Sequence, residues 1–178
     1  MAVFVIAPLL MDAADRGFVD RIRRARDPHV DLVEPHVTLV FGVPDAQETQ
    51  ALAWTRICAS ETQAFNLDFT LAAAKIDYLG SAWYLFLLPT SVPTGLVAVE
   101  KKLSIGSLGG ASVVPFDAHL TVGRFDTEAA AAAAAVRLNA RDLRLSGRVE
   151  ELVVLRFDGV VERSRSSAVL ARPAGRAV

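Results

Sequence analysis

The sequence has little of what marks a secreted, membrane-spanning or disulfide-built protein. Its 178 residues include one cysteine, Cys58, so no disulfide can form within the chain. This composition suits a reducing compartment, and a cytoplasmic location is expected. The apolar residues 1–11 have no basic leader and fall short of the about 20 residues that a membrane helix needs. We interpret residues 3–7 as a buried strand.

The chain also lacks a charge excess of either sign. The chain has 19 lysines and arginines and 20 acidic residues, which gives a formal net charge of −1. Coating of long nucleic acid relies on many cationic contacts to phosphates, so a near-neutral chain is not expected to coat RNA, whereas it can still bind one terminal nucleotide. The basic cluster Arg21, Arg23, Arg24 and Arg26 is interpreted as a solvated helix face, with a phosphate contact as the alternative.

Histidine is scarce too, yet two of the three histidines occur in the same short pattern. His36 is followed by Thr38 and His119 by Thr121, and the two histidines are 83 positions apart. Both segments are rich in apolar and β-branched residues, which favours strands. In a strand, residues i and i+2 point to the same face, so each histidine should project beside its threonine. His29 lacks the pattern and is expected on a surface loop.

The order of predicted elements suggests that the chain repeats itself. Strand, helix, strand, strand occurs twice, and each copy begins with one histidine pattern. The second copy lacks a closing helix, and a helix over residues 12–26, capped by Asp12, could fill that place. A glycine-rich stretch at residues 106–110 is interpreted as a linker. The predicted units are strand 35–42, helix 45–60, strands 65–79 and 83–88 and helix 94–105, then strand 118–125, helix 126–139 and a hairpin of 143–157 with 160–170.

If the two copies pack about a pseudo-twofold axis, the two pairs converge on one cleft, and two imidazoles and two hydroxyls there suit attack at a phosphodiester. One histidine can take a proton from the nucleophile while the other gives one to the leaving oxygen. The threonine hydroxyls can hold the non-bridging oxygens, so the reaction needs no metal ion and no cofactor. Glu34 and Asp117 each lie two residues before a histidine. A loop or edge role is favoured for them, and an imidazole-orienting carboxylate is the alternative.

At these motifs the sequence resembles the 2H phosphoesterase superfamily, in particular RNA 2′,3′-cyclic phosphodiesterases and 2′-5′ RNA ligase-like proteins. The matching segments are PHVTL at residues 35–39 and PFDAHLTVGR at residues 115–124. The resemblance implies an α+β fold of two lobes over residues 1–178, an internally duplicated single domain with two antiparallel sheets lining a central cleft. It also implies His36 and His119 as acid and base, and Thr38 and Thr121 as phosphate anchors.

The resemblance also offers weaker candidates for substrate binding. Arg124 matches an arginine that often follows the second motif, but strict alternation would place it opposite His119 unless the strand bulges at Gly123. Phe41 and Phe125 could stack on a base, although core packing is the favoured interpretation for both.

The leading hypothesis is a phosphodiesterase for RNA or nucleotide 2′,3′-cyclic phosphates, which could also cleave or join 2′-5′ linkages. The partner would then be an RNA 3′ end or a small nucleotide, and a monomer is expected. The alternative is a binding module for phosphorylated RNA ends that has lost turnover. Both motifs are complete, which argues against that alternative.

Overall fold

The computed structural model describes residues 1–77, 80–105, 116–158 and 160–171, and these form eight strands, four α-helices and a short 3₁₀ helix, Asp45–Gln47, directly before the second α-helix. The strands are β1 (Ala2–Pro8), β2 (His36–Pro44), β3 (Phe65–Ile76), β4 (Trp83–Pro89), β5 (Leu120–Phe125), β6 (Leu145–Val149), β7 (Glu151–Phe157) and β8 (Glu162–Val169). The helices are α1 (Ala13–Arg26), α2 (Glu48–Ser60), α3 (Thr94–Ile105) and α4 (Glu128–Asn139). The stretch interpreted as a linker, residues 106–110, lies outside the described residues.

The strands form two four-stranded antiparallel sheets, so the predicted α+β class is confirmed. Sheet A has the strand order β2-β1-β7-β8, and sheet B has the order β5-β4-β3-β6. The two strands that carry the histidine patterns, β2 and β5, are therefore edge strands. These two edges contact each other where the sheets meet.

Local signals explain where α1 and α4 begin. The Asp12 carboxylate accepts hydrogen bonds from the backbone N–H groups of Ala14 and Asp15 at 2.9 and 2.8 Å, as predicted for a capping residue. The Thr127 hydroxyl caps α4 through the N–H of Ala130 at 3.3 Å. None of the described helices is long and apolar enough to cross a membrane.

The predicted strand 143–157 is wrong as a single element, because it divides between the two sheets. Its first part, β6, pairs with β3 in sheet B, and its second part, β7, pairs with β1 in sheet A. Burial alternates over residues 145, 147 and 149 and is then continuous over residues 152 to 155, so the alternation ends around Glu150. The first part therefore has one buried face, whereas β7, between β1 and β8, is buried on both faces.

Two helices exchange partners between the sheets. Helix α1 lies between β1 and β2 in the chain but packs against β5, and α3 lies between β4 and β5 but packs against β2. The order strand, helix, motif strand, helix therefore occurs twice, as β1-α1-β2-α2 and as β4-α3-β5-α4. The N-terminal helix packs on the second motif strand as α3 packs on the first. The internal duplication that this order suggests stays a prediction.

One arginine of the basic cluster is not on the solvated face. Arg23 is 2% exposed, because its Nε donates to the Asp27 carboxylate at 2.7 Å and its Nη2 donates to the Val33 carbonyl at 2.6 Å. These two bonds replace part of the water that the buried guanidinium loses, while its Nη1 has no hydrogen-bond partner among the described residues. The predicted solvated face is therefore wrong for Arg23 and correct for Arg21, Arg24 and Arg26.

Candidate active site

The first histidine pair lies on β2 as the alternation requires. His36 is opposite Pro8 and Thr38 is opposite Ile6 of the neighbouring strand β1, and both side chains are half-buried. Val37, between them, is fully buried on the other side of the sheet. We call the side of each sheet that carries its histidine pair the histidine face.

The second pair repeats this arrangement at the edge of sheet B. His119 directly precedes β5, and Thr121 lies within β5 opposite Phe86 of β4. Both side chains are half-buried, whereas Leu120 between them is 1% exposed. Because β2 and β5 are contacting edge strands, the two pairs lie at the same junction of the sheets.

Each motif strand contains a bulge directly after its threonine. In β2, Val40 pairs with Val5 while Thr38 pairs with the next residue, Ile6, so β2 has one extra residue at this point. Leu39 and Val40 are consequently both buried. The next residue, Phe41, returns to the histidine face and is 48% exposed.

The bulge in β5 lies at the equivalent point and decides the position of Arg124. Gly123 pairs with Leu85 and Thr121 with the next residue, Phe86, so Val122 and Gly123 both lie on the buried side. Arg124 is then opposite Tyr84, on the same face as Thr121. Strict alternation fails here because the bulge shifts its phase. The positions 41 and 124 are separated by the same 83 residues as the two histidines.

The two candidate aromatic residues differ in their surroundings. Phe125 is 7% exposed and lies under the Arg26 guanidinium, 5.2 Å from its ring centre, so core packing was the correct interpretation for it. For Phe41 that interpretation is wrong. Its half-exposed ring makes only an edge contact with Phe4 among the described aromatic residues, with 5.2 Å between the ring centres.

Backbone carbonyls hold both imidazoles in one orientation. His36 Nδ1 donates to the Glu34 carbonyl at 2.7 Å, and His119 Nδ1 donates to the Asp117 carbonyl at 2.6 Å. A carbonyl oxygen can only accept, so in each neutral imidazole the proton lies on Nδ1 and the lone pair on Nε2. The alternative of an orienting carboxylate is therefore wrong, because the carboxylates of Glu34 and Asp117 pair with Arg165 and Lys75.

Burial lowers the pKa of both histidines. For His36 the nearby Arg23 cation lowers the pKa further, while the Glu34 carbonyl and the charges of Glu34 and Asp27 partly oppose the shift. For His119 the Lys75 cation adds to burial, and the Asp117 carbonyl and carboxylate oppose it. Both imidazoles are consequently neutral near pH 7, with Nε2 able to accept a proton. A phosphate anion bound between them would favour protonation of one of them.

An aromatic ladder next to His119 was not predicted from the sequence. The Phe86 ring stacks on the imidazole of His119 with 3.8 Å between ring centres and 22° between planes, and Tyr84 follows at 6.0 Å from Phe86. Burial raises the pKa of Tyr84. The alternation of residues 83–88 already put Tyr84 and Phe86 on one face, but the strand next to β5 could not be identified without the sheet order.

The described part of the chain has no group of three or more histidine, cysteine, aspartate or glutamate side chains that could hold a metal ion. The four motif side chains are two imidazoles and two hydroxyls. They offer proton transfer and hydrogen bonding rather than the carboxylate ligands that magnesium or calcium prefer. Independence of a metal ion stays a prediction.

Comparison with known proteins agrees with the fold. The model of the 2′-5′ RNA ligase superfamily matches residues 11–160. The chain therefore belongs to this superfamily, within the 2H phosphoesterases, and the resemblance found in the sequence is confirmed. None of the curated proteins matched significantly. Family membership supports an activity of the phosphodiesterase type.

Solved structures share the fold at low sequence identity. E. coli LigT in its apo form is 21% identical with a TM-score of 0.58, and the alignment covers 96% of this chain and 98% of LigT. Kluyveromyces marxianus Usb1 with uridine monophosphate is 16% identical with a TM-score of 0.63, covering 94% and 98% of the two chains. LigT complexed with 3′-AMP has 20% identity and a TM-score of 0.52, covering 94% and 98%.

Proposed function

We propose that the protein is a metal-independent phosphodiesterase that hydrolyses 2′,3′-cyclic phosphates of RNA ends or nucleotides. His36 and His119 are its acid and base, and Thr38 and Thr121 are its phosphate anchors. The observation that carries the proposal is the shared junction of the two pairs, in which each imidazole has its Nδ1 engaged and its Nε2 lone pair available.

The proposed reaction moves one proton at each histidine. The neutral imidazole accepts a proton from water at Nε2 as the water oxygen bonds to phosphorus. The bond from phosphorus to O2′ or O3′ then breaks, and the second imidazole, protonated at Nε2, gives its proton to the departing oxygen. The products are a phosphomonoester and a free hydroxyl, and the two histidines have exchanged protonation states.

The threonines complete the site by binding the charge that grows on phosphorus. As phosphorus gains a fifth oxygen, negative charge builds on the non-bridging oxygens, where a fixed hydroxyl donor stabilises it most. Within the described chain no hydrogen bond occupies the hydroxyl of either Thr38 or Thr121. Both side chains are half-buried on the histidine face, where their hydroxyls can donate to a bound phosphate.

The two residues after the bulges are proposed to hold the rest of the substrate. Arg124 is exposed beside Tyr84 and suits a further phosphate, since a guanidinium can bind two phosphate oxygens. Phe41 offers a half-exposed ring on which a base can stack. Structures of similar proteins contain 3′-AMP and uridine monophosphate, which supports a nucleotide-sized ligand.

The same displacement could cleave or join a 2′-5′ linkage. When a ribose 5′-hydroxyl takes the place of water, attack on a 2′,3′-cyclic phosphate with departure of O3′ forms a 2′-5′ phosphodiester. Both directions use the same two histidines. A binding module that recognises phosphorylated RNA ends without turnover is the alternative from another class.

The deciding experiment is hydrolysis of 2′,3′-cyclic mononucleotides and of a short RNA with a cyclic end, in excess EDTA. Turnover that survives EDTA and is lost in folded His36→Ala and His119→Ala variants supports the proposal. His29→Ala is the matched control, because His29 is exposed and has no threonine at the second position after it. A folded wild-type protein that binds these ligands without turning them over would instead support the binding module.

A further inference from the structure

Glu34 acts on its surroundings through two different groups. Its backbone carbonyl accepts the hydrogen bond from His36 Nδ1 at 2.7 Å. Its carboxylate accepts two hydrogen bonds from Arg165, one from each terminal nitrogen, both at 2.7 Å. The Arg165 guanidinium holds the pKa of the Glu34 carboxyl below its usual range, so the pair is charged at neutral pH.

Asp117 does the same beside the second histidine. Its carbonyl accepts the hydrogen bond from His119 Nδ1 at 2.6 Å, and its carboxylate forms an ion pair with Lys75 Nζ. Lys75 and Arg165 are unrelated in sequence position, and they reach their partners from β3 and from β8. Both histidines therefore bind the carbonyl of a residue whose carboxylate pairs with a cation.

The carbonyls of residues 34 and 117 have no sheet to hold their direction. Glu34 precedes β2 and Asp117 precedes β5, and neither residue takes part in a strand. Strand pairing fixes carbonyl directions inside a sheet, so a carbonyl outside it must be held in another way. The cations come from β8, three strands away from β2 in sheet A, and from β3, two strands away from β5 in sheet B. Each ion pair ties the segment before the motif across the face of its own sheet.

We infer that Arg165 and Lys75 are positioning residues, each of which fixes the residue whose carbonyl holds a motif imidazole with Nε2 facing the phosphate. Neither cation needs to touch the substrate for this role. The inference rests on the proposed function, in which Nε2 of each imidazole accepts or donates the proton. The orientation of the imidazoles can be measured without any substrate.

The first test compares turnover in variants that remove the cation but keep the length of the side chain. Arg165→Met should lower kcat on the order of tenfold with little change in KM, because a displaced proton acceptor slows the reaction more than it weakens binding. Lys75→Met should lower kcat by about threefold, because this pair is 41% and 51% exposed and water partly replaces the ion pair.

The chain offers a matched control for each variant. Arg163, two residues before Arg165 on β8, pairs with Asp158 in the adjacent turn. Lys102 pairs with Glu61 and is exposed to almost the same extent as Lys75, at 43% against 41%. Arg163→Met and Lys102→Met should keep the wild-type kcat.

The second test reads the imidazoles directly by ¹⁵N NMR of histidine-labelled protein, in which three residues contribute signals. In the wild type at neutral pH, His36 and His119 should both be neutral with the proton on Nδ1. In Arg165→Met, His36 should become a mixture of the two neutral tautomers while His119 is unchanged, and Lys75→Met should do the reverse.

A third comparison separates positioning from general loss of stability. If Arg165 acts through Glu34, the double variant Arg165→Met with Glu34→Gln should be no slower than Arg165→Met alone. Arg165→Lys keeps the charge, so it should restore more of the Nδ1 tautomer than Arg165→Met does, and it tests the inference if the methionine variant fails to fold. Unchanged His36 and His119 tautomers in folded Arg165→Met and Lys75→Met proteins would overturn the inference. If the wild type hydrolyses none of the substrates, the proposed function fails while the NMR comparison still decides the positioning role.

Discussion

The histidine faces of the two sheets carry the same catalytic candidates but differ in the residues that surround them. On sheet A, the apolar residues beside the pair are closed off: Ile6, Val153 and Leu155 are 2%, 0% and 4% exposed and pack with Val33 of the segment before β2. On sheet B, Phe86 is half-buried and Leu71 is 50% exposed. The chain covers these residues of sheet A, and of that face Phe41 is the large apolar residue left about half exposed, whereas sheet B exposes apolar residues next to its histidine pair.

The comparison distinguishes the residues that the reaction needs from the residues that select the substrate. The parts that recur in both halves are the imidazole, the hydroxyl, the orienting carbonyl and the bulge. The parts that differ occupy equivalent positions. Tyr84 and Phe86 of sheet B correspond to Phe4 and Ile6 of sheet A, and Arg124 corresponds to Phe41. We therefore expect the recurring parts to control the rate, and the differing parts to control which molecule binds.

The largest expected effect is the loss of either imidazole. His36→Gln and His119→Gln should each lower kcat/KM by about 10²–10⁴-fold, because each removes one of the two proton transfers. The double variant should be only slightly slower than either single one, since the two residues act as a unit. Steady-state kinetics on a 2′,3′-cyclic mononucleotide checks both points. A variant that keeps near-wild-type turnover would break the equivalence of the two halves.

Removal of a threonine hydroxyl should have the next largest effect. Thr38→Val and Thr121→Val keep the shape of the side chain and should each reduce kcat by roughly 10²-fold, as expected for a donor to a charged transition state. Thr70→Val is the control, because its exposed hydroxyl bonds to Thr90 at 3.1 Å. An effect confined to KM would contradict the role in the transition state.

The residues after the bulges should separate binding of the base from binding of a phosphate. Phe41→Ala should raise KM about tenfold for mononucleotide and RNA substrates alike, since stacking on one base contributes about 1–3 kcal/mol. Arg124→Met should weaken the RNA more than the mononucleotide and should reduce the salt dependence of KM by about one counterion. Arg148→Met, whose native side chain pairs with Glu150 on the surface, should change neither. If Arg124→Met weakened the mononucleotide as much as the RNA, the division between the two residues would be contradicted.

The lowered histidine pKa values should make the fold less stable in mild acid. With the pKa of the folded state below the unfolded value of about 6.5, the unfolded chain binds protons first, so the free energy of unfolding falls as pH drops below about 6.5. Urea unfolding between pH 7.5 and 5 should show this slope in the wild type and a smaller slope in His36→Gln and His119→Gln. The exposed His29 provides the control variant His29→Gln.

A smaller effect is expected at the bulge that directs Arg124. A methyl group added at Gly123 would lie 3.0 Å from Cβ of Arg26 on α1 and 3.2 Å from the ring of Phe125. Gly123→Ala should therefore lower the free energy of unfolding by about 1 kcal/mol, as overpacking does. Gly17→Ala, at a helical position with open space, should be neutral or stabilising. Thermal unfolding of both variants distinguishes the two sites.

Local patterns were sufficient to predict the motif strands, most helices and the two histidine pairs. Alternation and helix capping depend on residues that are close in sequence. The helices α1 and α3 begin and end close to the predicted residues. Burial of Arg23 could not be predicted, since its partner Val33 lies in a loop that returns to the helix.

Other features depended on pairing that a single strand does not reveal. The position of Arg124 depends on which residue of β4 faces Thr121, and the division at Glu150 depends on two sheets meeting. The ion pairs of Arg165 and Lys75 join residues 131 and 42 positions apart. Sequence periodicity describes one element at a time, so contacts of this range lie beyond it.

The exchange of α1 and α3 between the sheets also bears on how the protein can move. Two lobes joined by a linker can swing open as a hinge, but here separation of the sheets would pull α1 from β5 and α3 from β2 at once. The buried cluster that includes Val19, Leu96 and Leu120 would lose packing contacts as well. We therefore expect the two sheets to move together when a ligand binds, because their separation would break helix contacts on both sheets.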